Sequence, residues 1–209
     1  MIIEFFGPSG VGKSTIAQEL SNNTRWEYIA INSRKEKLKY VIISLFRLPV
    51  RFLSLFCRTI IEGKYSLALL RHKIHLFTEY VARNEKARIK GIRQNVILDE
   101  GFAQYGLSLY EHNISKKTAL RYVNKFILCN CNKIEVIILC NEQDRIKRME
   151  NRKRIPRVHL NIDNKTWQRI VSKNFDTFLN VLKRRNMFLF NSSKQNSLEI
   201  ARAIEQKIK

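Results

Sequence analysis

Apolar residues along this 209-residue chain gather into five short runs, at 2–6, 28–31, 96–98, 134–139 and 187–190, with longer mixed stretches between them. The first, third and fourth runs are rich in Val and Ile and do not alternate with polar residues. That is the pattern of strands buried on both faces of a sheet. Strands of this kind separated by helical stretches call for parallel pairing, because each return to the same edge has to cross the sheet. The predicted fold class is therefore α/β, a doubly wound parallel sheet with helices on both faces. Near the end of the chain, Leu198, Ala201, Ile204 and Ile208 recur at helical spacing and predict a closing amphipathic helix from Ser197.

The stretch 34–91 stands apart, helical in tendency and greasy in its first half. Pro49 and Gly63 divide it. Segments 40–46 and 52–57 are apolar, but Arg47, Arg51 and Arg58 interrupt them, so no run reaches the roughly 18 to 20 residues of a membrane span. Two readings stay open: a helical hairpin that covers a substrate above the sheet, which is favoured, or a basic amphipathic surface lying on anionic lipid. In the second half, Leu70, Ile74, Phe77 and Val81 predict a core-facing stripe. No repeat or low-complexity linker divides the chain, so one domain over residues 1–209 is expected, with an insertion at about 34–91.

Directly behind the first run stands Gly7-Pro8-Ser9-Gly10-Val11-Gly12-Lys13-Ser14-Thr15, which matches the Walker A pattern GxxxxGK[ST] at every required position. Its glycines let successive backbone N–H groups point inward at phosphate oxygens. Gly12 leaves Lys13 room to reach the β- and γ-phosphates, and Ser14 offers its hydroxyl to Mg²⁺. The helix that starts there adds the positive end of its dipole. A loop of this kind needs a carboxylate at the end of a neighbouring strand to hold the metal or its water. The run 96–98 leads straight into Asp99 and Glu100, making Asp99 the metal-side candidate and Glu100 a candidate base. Gly101 after them suggests close backbone approach. Following the run 134–139, Arg148 and Arg152 lie one helical turn apart within a basic stretch, suited to closing over a transferring phosphoryl group as a lid at about 142–157.

Composition adds a second property. The chain carries 39 Lys and Arg against 18 Asp and Glu, a net charge of +21. A triphosphate needs only a few cations, so the surplus suggests nucleic acid or an anionic membrane surface, with a general bias toward Lys, Ile and Asn as the competing explanation. The four cysteines, Cys57, Cys129, Cys131 and Cys140, form no C-x-x-C pair and read as reduced core thiols. His72 and His75 read as a polar helix face rather than metal ligands. With an apolar run already at Ile2, no charged leader segment precedes it, and a cytoplasmic location is expected.

These pieces in this order resemble the nucleoside-monophosphate-kinase-like branch of the P-loop kinases, most closely thymidylate-kinase-like proteins. The resemblance rests on GPSGVGKST, on the strand ending in Asp99-Glu100, on Arg148 and Arg152, and on the last strand and helix. It implies a five-stranded parallel sheet in the order 2-3-1-4-5. It also implies that the loop after the last strand lies against the adenine, which places Asn191 and Ser192 there. Thymidylate kinases carry Asp-Arg where this chain has Asp99-Glu100, and their substrate-gripping residues have no match in 34–91, so the acceptor stays open.

Three functions follow in order. The leading one is an ATP-dependent phosphotransferase acting with Mg²⁺ on a small-molecule acceptor, a nucleotide or a sugar-type hydroxyl or phosphate. The triphosphate is cradled by Gly7, Ser9, Gly10, Val11, Gly12, Lys13, Ser14 and Thr15. Lys13, Asp99, Glu100, Arg148 and Arg152 carry the chemistry, with Ser14 and Asp99 on the metal. The second is a nucleotide-binding ATPase or switch, weakened because Asp-x-x-Gly and Asn-Lys-x-Asp, the readers of a GTPase, are missing from the sequence. The third is a 5′-hydroxyl polynucleotide kinase, which would use the net charge directly.

Overall fold

The computed structural model describes residues 1–64, 66–127, 133–151, 164–182 and 187–208. The chain alternates strand and helix: β1 (Ile2–Phe6), α1 (Lys13–Asn23), β2 (Glu27–Tyr28), then three successive helices α2 (Arg34–Arg47), α3 (Pro49–Gly63) and α4 (Leu67–Lys90). β3 (Val96–Leu98), α5 (Phe102–Leu109), α6 (Lys116–Tyr122) with a π-helical turn at Val123–Ile127, β4 (Lys133–Leu139), α7 (Glu142–Asn151), α8 (Asn164–Leu182), β5 (Met187–Asn191) and α9 (Ser197–Ile208) complete it. All five strands are parallel, in the order β2-β3-β1-β4-β5. Ile3 of β1 sits between Ile97 of β3 and Ile134 of β4, so the central strand is flanked on both sides, as its unbroken apolar run requires. The strands all run the same way, but the direction in which successive strands are laid across the sheet switches between β3 and β1. The crevice beyond the carboxyl end of β1 is where open α/β sheets bind ligands.

Two cores sandwich the sheet. On one face α1 and α9 pack Ile16, Leu20, Ile200 and Ile204 against Ile3, Phe5, Val136 and Ile138. On the other, α3 to α6 and α8 close an aromatic core in which Tyr105, Tyr122, Phe126 and Phe178 meet Phe6 and Ile137. Polar starts fix the helices locally. Ser33 accepts from Glu36 N at 3.1 Å while the Glu36 carboxylate accepts from Asn32 N at 2.7 Å, a reciprocal capping pair for α2. Ser66 and Ser115 cap α4 and α6 by accepting from Leu69 N and Thr118 N. Breaks fall where Pro49 and Gly63 predict them, and α2 and α3 are bent by 117° relative to each other.

The structure differs from the sequence reading at several points. β2 is Glu27–Tyr28 rather than 28–31; Ile29 N still donates to Ile97 O at 2.9 Å, but the edge strand pairs on one side only and then leaves the sheet. The buried face of α4 runs through Leu69, Lys73, Phe77 and Val81 instead of Leu70 and Ile74. Lys73 is fully buried because its ammonium reaches Ser108 O at 2.8 Å, Leu109 O at 2.5 Å and Glu111 at 2.5 Å, neutralising the carbonyl end of α5. Cys57 is exposed rather than a core thiol, Cys140 is half-buried, and Cys129 and Cys131 lie outside the described residues.

Candidate active site

At the carboxyl end of β1 the chain turns through Gly10 and Gly12, at φ of 89° and 96°, conformations that only glycine adopts without strain. Gly12 stands at the head of α1 with no side-chain cap, so the first-turn N–H groups face the crevice and are open to an anion. Lys13 curls back over the loop and donates to Gly7 O at 2.7 Å and Pro8 O at 2.9 Å. Val11 anchors the loop by burying its side chain in the α1 and α9 core, while Ser14 and Thr15 are exposed and Ser9 half-buried. Gln104, from α5, accepts from Gly7 N at 3.4 Å.

β3 delivers the carboxylates. Ser14 Oγ donates to Asp99 Oδ2 at 2.9 Å, which brings together the two predicted metal-side residues. Asp99 is almost wholly buried, and its other oxygen accepts from Arg83 Nη1 at 3.2 Å. The same guanidinium lies 3.6 Å from Glu100 Oε2, while Arg83 Nε donates to Glu79 at 3.0 Å and Lys37 closes on Glu79 at 2.9 Å. One line of opposite charges therefore runs from α2 through α4 to β3 and α1. Burial, opposed by Lys13 and helped by the adjacent Asp99, pushes the Glu100 carboxyl above its ordinary range. Burial, then a hydrogen bond to Asp99, likewise pushes the Tyr28 phenol up.

Beneath these groups lies a buried charge in β1. Glu4 Oε1 accepts from Ala103 N at 2.7 Å, and its other oxygen pairs with Lys133 of β4. α5 begins at Gly101 with no side-chain cap of its own, so the Glu4 carboxylate caps it from another element. A Cβ at Gly101 would lie 2.3 to 2.5 Å from that carboxylate. The close approach inferred at Gly101 is thus an approach to Glu4, and it sets where the Asp99-Glu100 turn can sit.

On the other flank, α7 rests on the loop. A Cβ at Gly10 would stand 2.8 Å from Met149 Cγ and 2.9 Å from Arg145 O. Arg148 reaches across to the turn after β5, where Nη1 donates to Ser192 Oγ at 3.0 Å and Nη2 to Ser192 O at 2.7 Å. Its Nη1 would lie 3.9 Å from a Cβ on Gly12, so the predicted lid arginine, the predicted adenine-side turn and the phosphate loop meet in space. Asn191 shapes that turn by accepting from Ser193 N at 2.9 Å. Arg152 lies outside the described residues. Arg145 is buried, pairs with Gln168 and Ser172 of α8, and has its pKa lowered by burial.

Sequence reasoning missed Arg83, Tyr28, Gln104 and Glu4. Only Glu4 left a signal, as the single charge inside an otherwise apolar run. Among the described residues no cluster of three His, Cys, Asp or Glu side chains could cage a metal. The hydroxyl and carboxylate of Ser14 and Asp99 are instead the sparse oxygen donors that suit Mg²⁺, which keeps waters and phosphate oxygens as its remaining ligands.

Comparison of the sequence with family models and with curated proteins finds no match. Among solved structures the chain is similar to a deoxyadenosine kinase from M. mycoides with the products dCMP and a flexible dCDP bound. The TM-score is 0.60 at 17% identity, covering 100% of this chain and 98% of that one. It is also similar to that enzyme with dATP bound, at a TM-score of 0.56, 18% identity and coverage of 100% and 99%. With dCTP bound the values are 0.53, 18%, 100% and 98%. The chain therefore shares its fold, a five-stranded parallel sheet in the order 2-3-1-4-5, with these deoxyadenosine kinase structures.

Proposed function

We propose that the protein transfers the γ-phosphoryl group of ATP to a hydroxyl or phosphate of a small-molecule acceptor. The observation that carries this reading is the contact of Ser14 with Asp99 beside the Lys13 loop, with Arg83 and Glu100 continuing the site away from it. Loop N–H groups and Lys13 hold the β- and γ-phosphates, and Lys13 exchanges its carbonyl partners for phosphate oxygens. Ser14 and Asp99 would hold Mg²⁺, which would supply Lewis-acid neutralisation of phosphate charge. Arg148, beside Gly12 and Ser192, steadies the nucleotide against the turn of Asn191 and Ser192. Arg148 is also the arginine that closes over the phosphates, a role that extends to Arg152, which lies outside the described residues. Where the acceptor is a hydroxyl, Glu100 removes its proton, and its raised pKa makes it a stronger base than an ordinary carboxylate.

Helices α2 to α4, residues 34–91, form the acceptor-covering insertion of a single domain. One of the structural neighbours is a deoxyadenosine kinase, which favours a nucleoside or nucleotide as the acceptor. The test is ADP release from MgATP with and without a panel of deoxynucleosides, nucleotides and sugars. Acceptor-dependent release, abolished in Lys13→Ala, supports a kinase. Release indifferent to every acceptor supports an ATPase or switch instead.

A further inference from the structure

The solvent face of α2 and α3 is apolar. Seven of the twelve large apolar side chains exposed among the described residues lie between Leu38 and Ile61. They form one stripe per helix, Leu38, Ile42 and Phe46 on α2 and Val50, Leu53 and Ile60 on α3, each at helical spacing, while the opposite faces bury Tyr40, Leu55 and Thr59. Phe46 and Val50 flank the 117° bend and are 81% and 78% exposed, so the stripes meet at a protruding apolar elbow. Isolated surface leucines are ordinary, but a continuous stripe across two helices marks a surface that is covered in use.

Charge around the stripe indicates what covers it. Between Arg34 and Lys64 the sequence holds eight Lys and Arg but only Glu36 and Glu62 as acids. Both acids turn inward: Glu36 pairs with Lys86 at 2.6 Å, and Glu62 has a side chain 12% exposed beside His112. Outward lie Arg34, Lys35, Lys39 and Lys64. A second copy docked face to face on this surface would bring like charges together. Nucleic acid would meet the cations but leave the apolar stripe in water or against phosphates. An anionic lipid surface satisfies both parts, its headgroups taking the cations and its acyl boundary the apolar elbow. No single helix among the described residues is long and apolar enough to cross a membrane; α2 and α3 reach that length and apolarity only as a pair bent by 117°.

We propose that α2 and α3 dock the protein on an anionic membrane surface, with Phe46 and Val50 entering the interface. The test is cosedimentation of the full chain with vesicles of pure phosphatidylcholine and with vesicles containing phosphatidylglycerol. Binding is expected only to the anionic vesicles. It should weaken by about tenfold or more in Phe46→Ser/Val50→Ser/Leu53→Ser and in Lys35→Glu/Lys39→Glu. These side chains are exposed, so an unchanged circular dichroism spectrum and melting midpoint confirm that the variants fold. Absence of binding to anionic vesicles overturns the proposal. Equal binding by the serine variant also overturns it, because the attraction is then only that of a +21 surface. A wild-type dimer in ultracentrifugation that the serine variant converts to monomer overturns it in favour of a second copy.

Discussion

Glu100 is the residue at which environment and chemistry are most tightly joined. Burial beside Asp99 raises its pKa, so it binds its proton more tightly in the folded chain than in the unfolded one. In its proposed role as the base, it would work only when ionised. The rate at saturating ATP should therefore rise with pH through the raised pKa and level off above it, an acidic limb displaced upward from that of a free glutamate. Glu100→Gln is expected to lower kcat by about 10²- to 10⁴-fold and to erase that limb, as a pH–rate profile would show. The sign for stability is opposite. Between the unfolded pKa and the raised folded one, stability falls as pH rises, because the folded chain must give up a proton it holds more tightly. Urea midpoints should accordingly drop over that window in the wild type and stay flatter in the glutamine variant. A variant that loses activity but keeps the limb would move the base to another group. Neither Arg83 nor Tyr28, which also face Asp99, could be read from the chain. Each reaches the carboxylate from a separate element, and neither sits in a motif.

At the scale of elements, the junction of β1 with α5 decides where the Asp99-Glu100 turn stands. Glu4 holds Lys133 and the Ala103 N–H in the first turn of α5 at once, inside the sheet. Glu4→Ala removes a buried ion-pair partner and a helix cap together, and an unfolding titration should show a loss of about 3 to 5 kcal/mol. Gly101→Ala drives a methyl into the same carboxylate and should cost about 1 to 3 kcal/mol. The double variant should cost less than the sum, since truncating Glu4 opens the space the methyl needs. Such couplings explain what sequence pattern can and cannot reach. β1, β3 and β4 were legible because strands buried on both faces show as apolar runs whatever their partners. β2 was not placed fully, because an edge strand with two half-buried residues leaves only a short trace. The stripe of α4 was misjudged by one position because a lysine looks polar until the carbonyl end of α5 gives it partners. The glycine turn after β1 was legible because Gly10 and Gly12 take positive φ, a demand of local backbone geometry.

Across the whole molecule, the loop is the point where otherwise separate parts converge. A Cβ on Gly7 would strike Ile138 O of β4 at 2.6 Å, Gly10 carries α7, Ser14 reaches β3 through Asp99, and Arg148 joins α7 to the turn after β5. A triphosphate held there would bind elements drawn from both halves of the sheet and from both cores, and unfolding any of them would require releasing it. Ligand at about 100 times its Kd should then add about 2.7 kcal/mol. For a chain of this size that is a rise of roughly 5 to 10 °C in Tm. Lys13→Ala should abolish the rise, and chelating Mg²⁺ should reduce it by removing what joins the phosphates to Ser14 and Asp99. The +21 charge supplies a trap, since any polyanion stabilises a strongly basic protein by screening its self-repulsion. Salt separates the two effects. At about 0.5 M salt the Debye length shrinks to a few ångströms and diffuse attraction fades, whereas amide and lysine contacts inside the loop persist. A Tm rise that survives high salt in the wild type but vanishes in Lys13→Ala therefore belongs to the loop. A rise that disappears equally from both belongs to the surface, and the triphosphate would then have no specific seat.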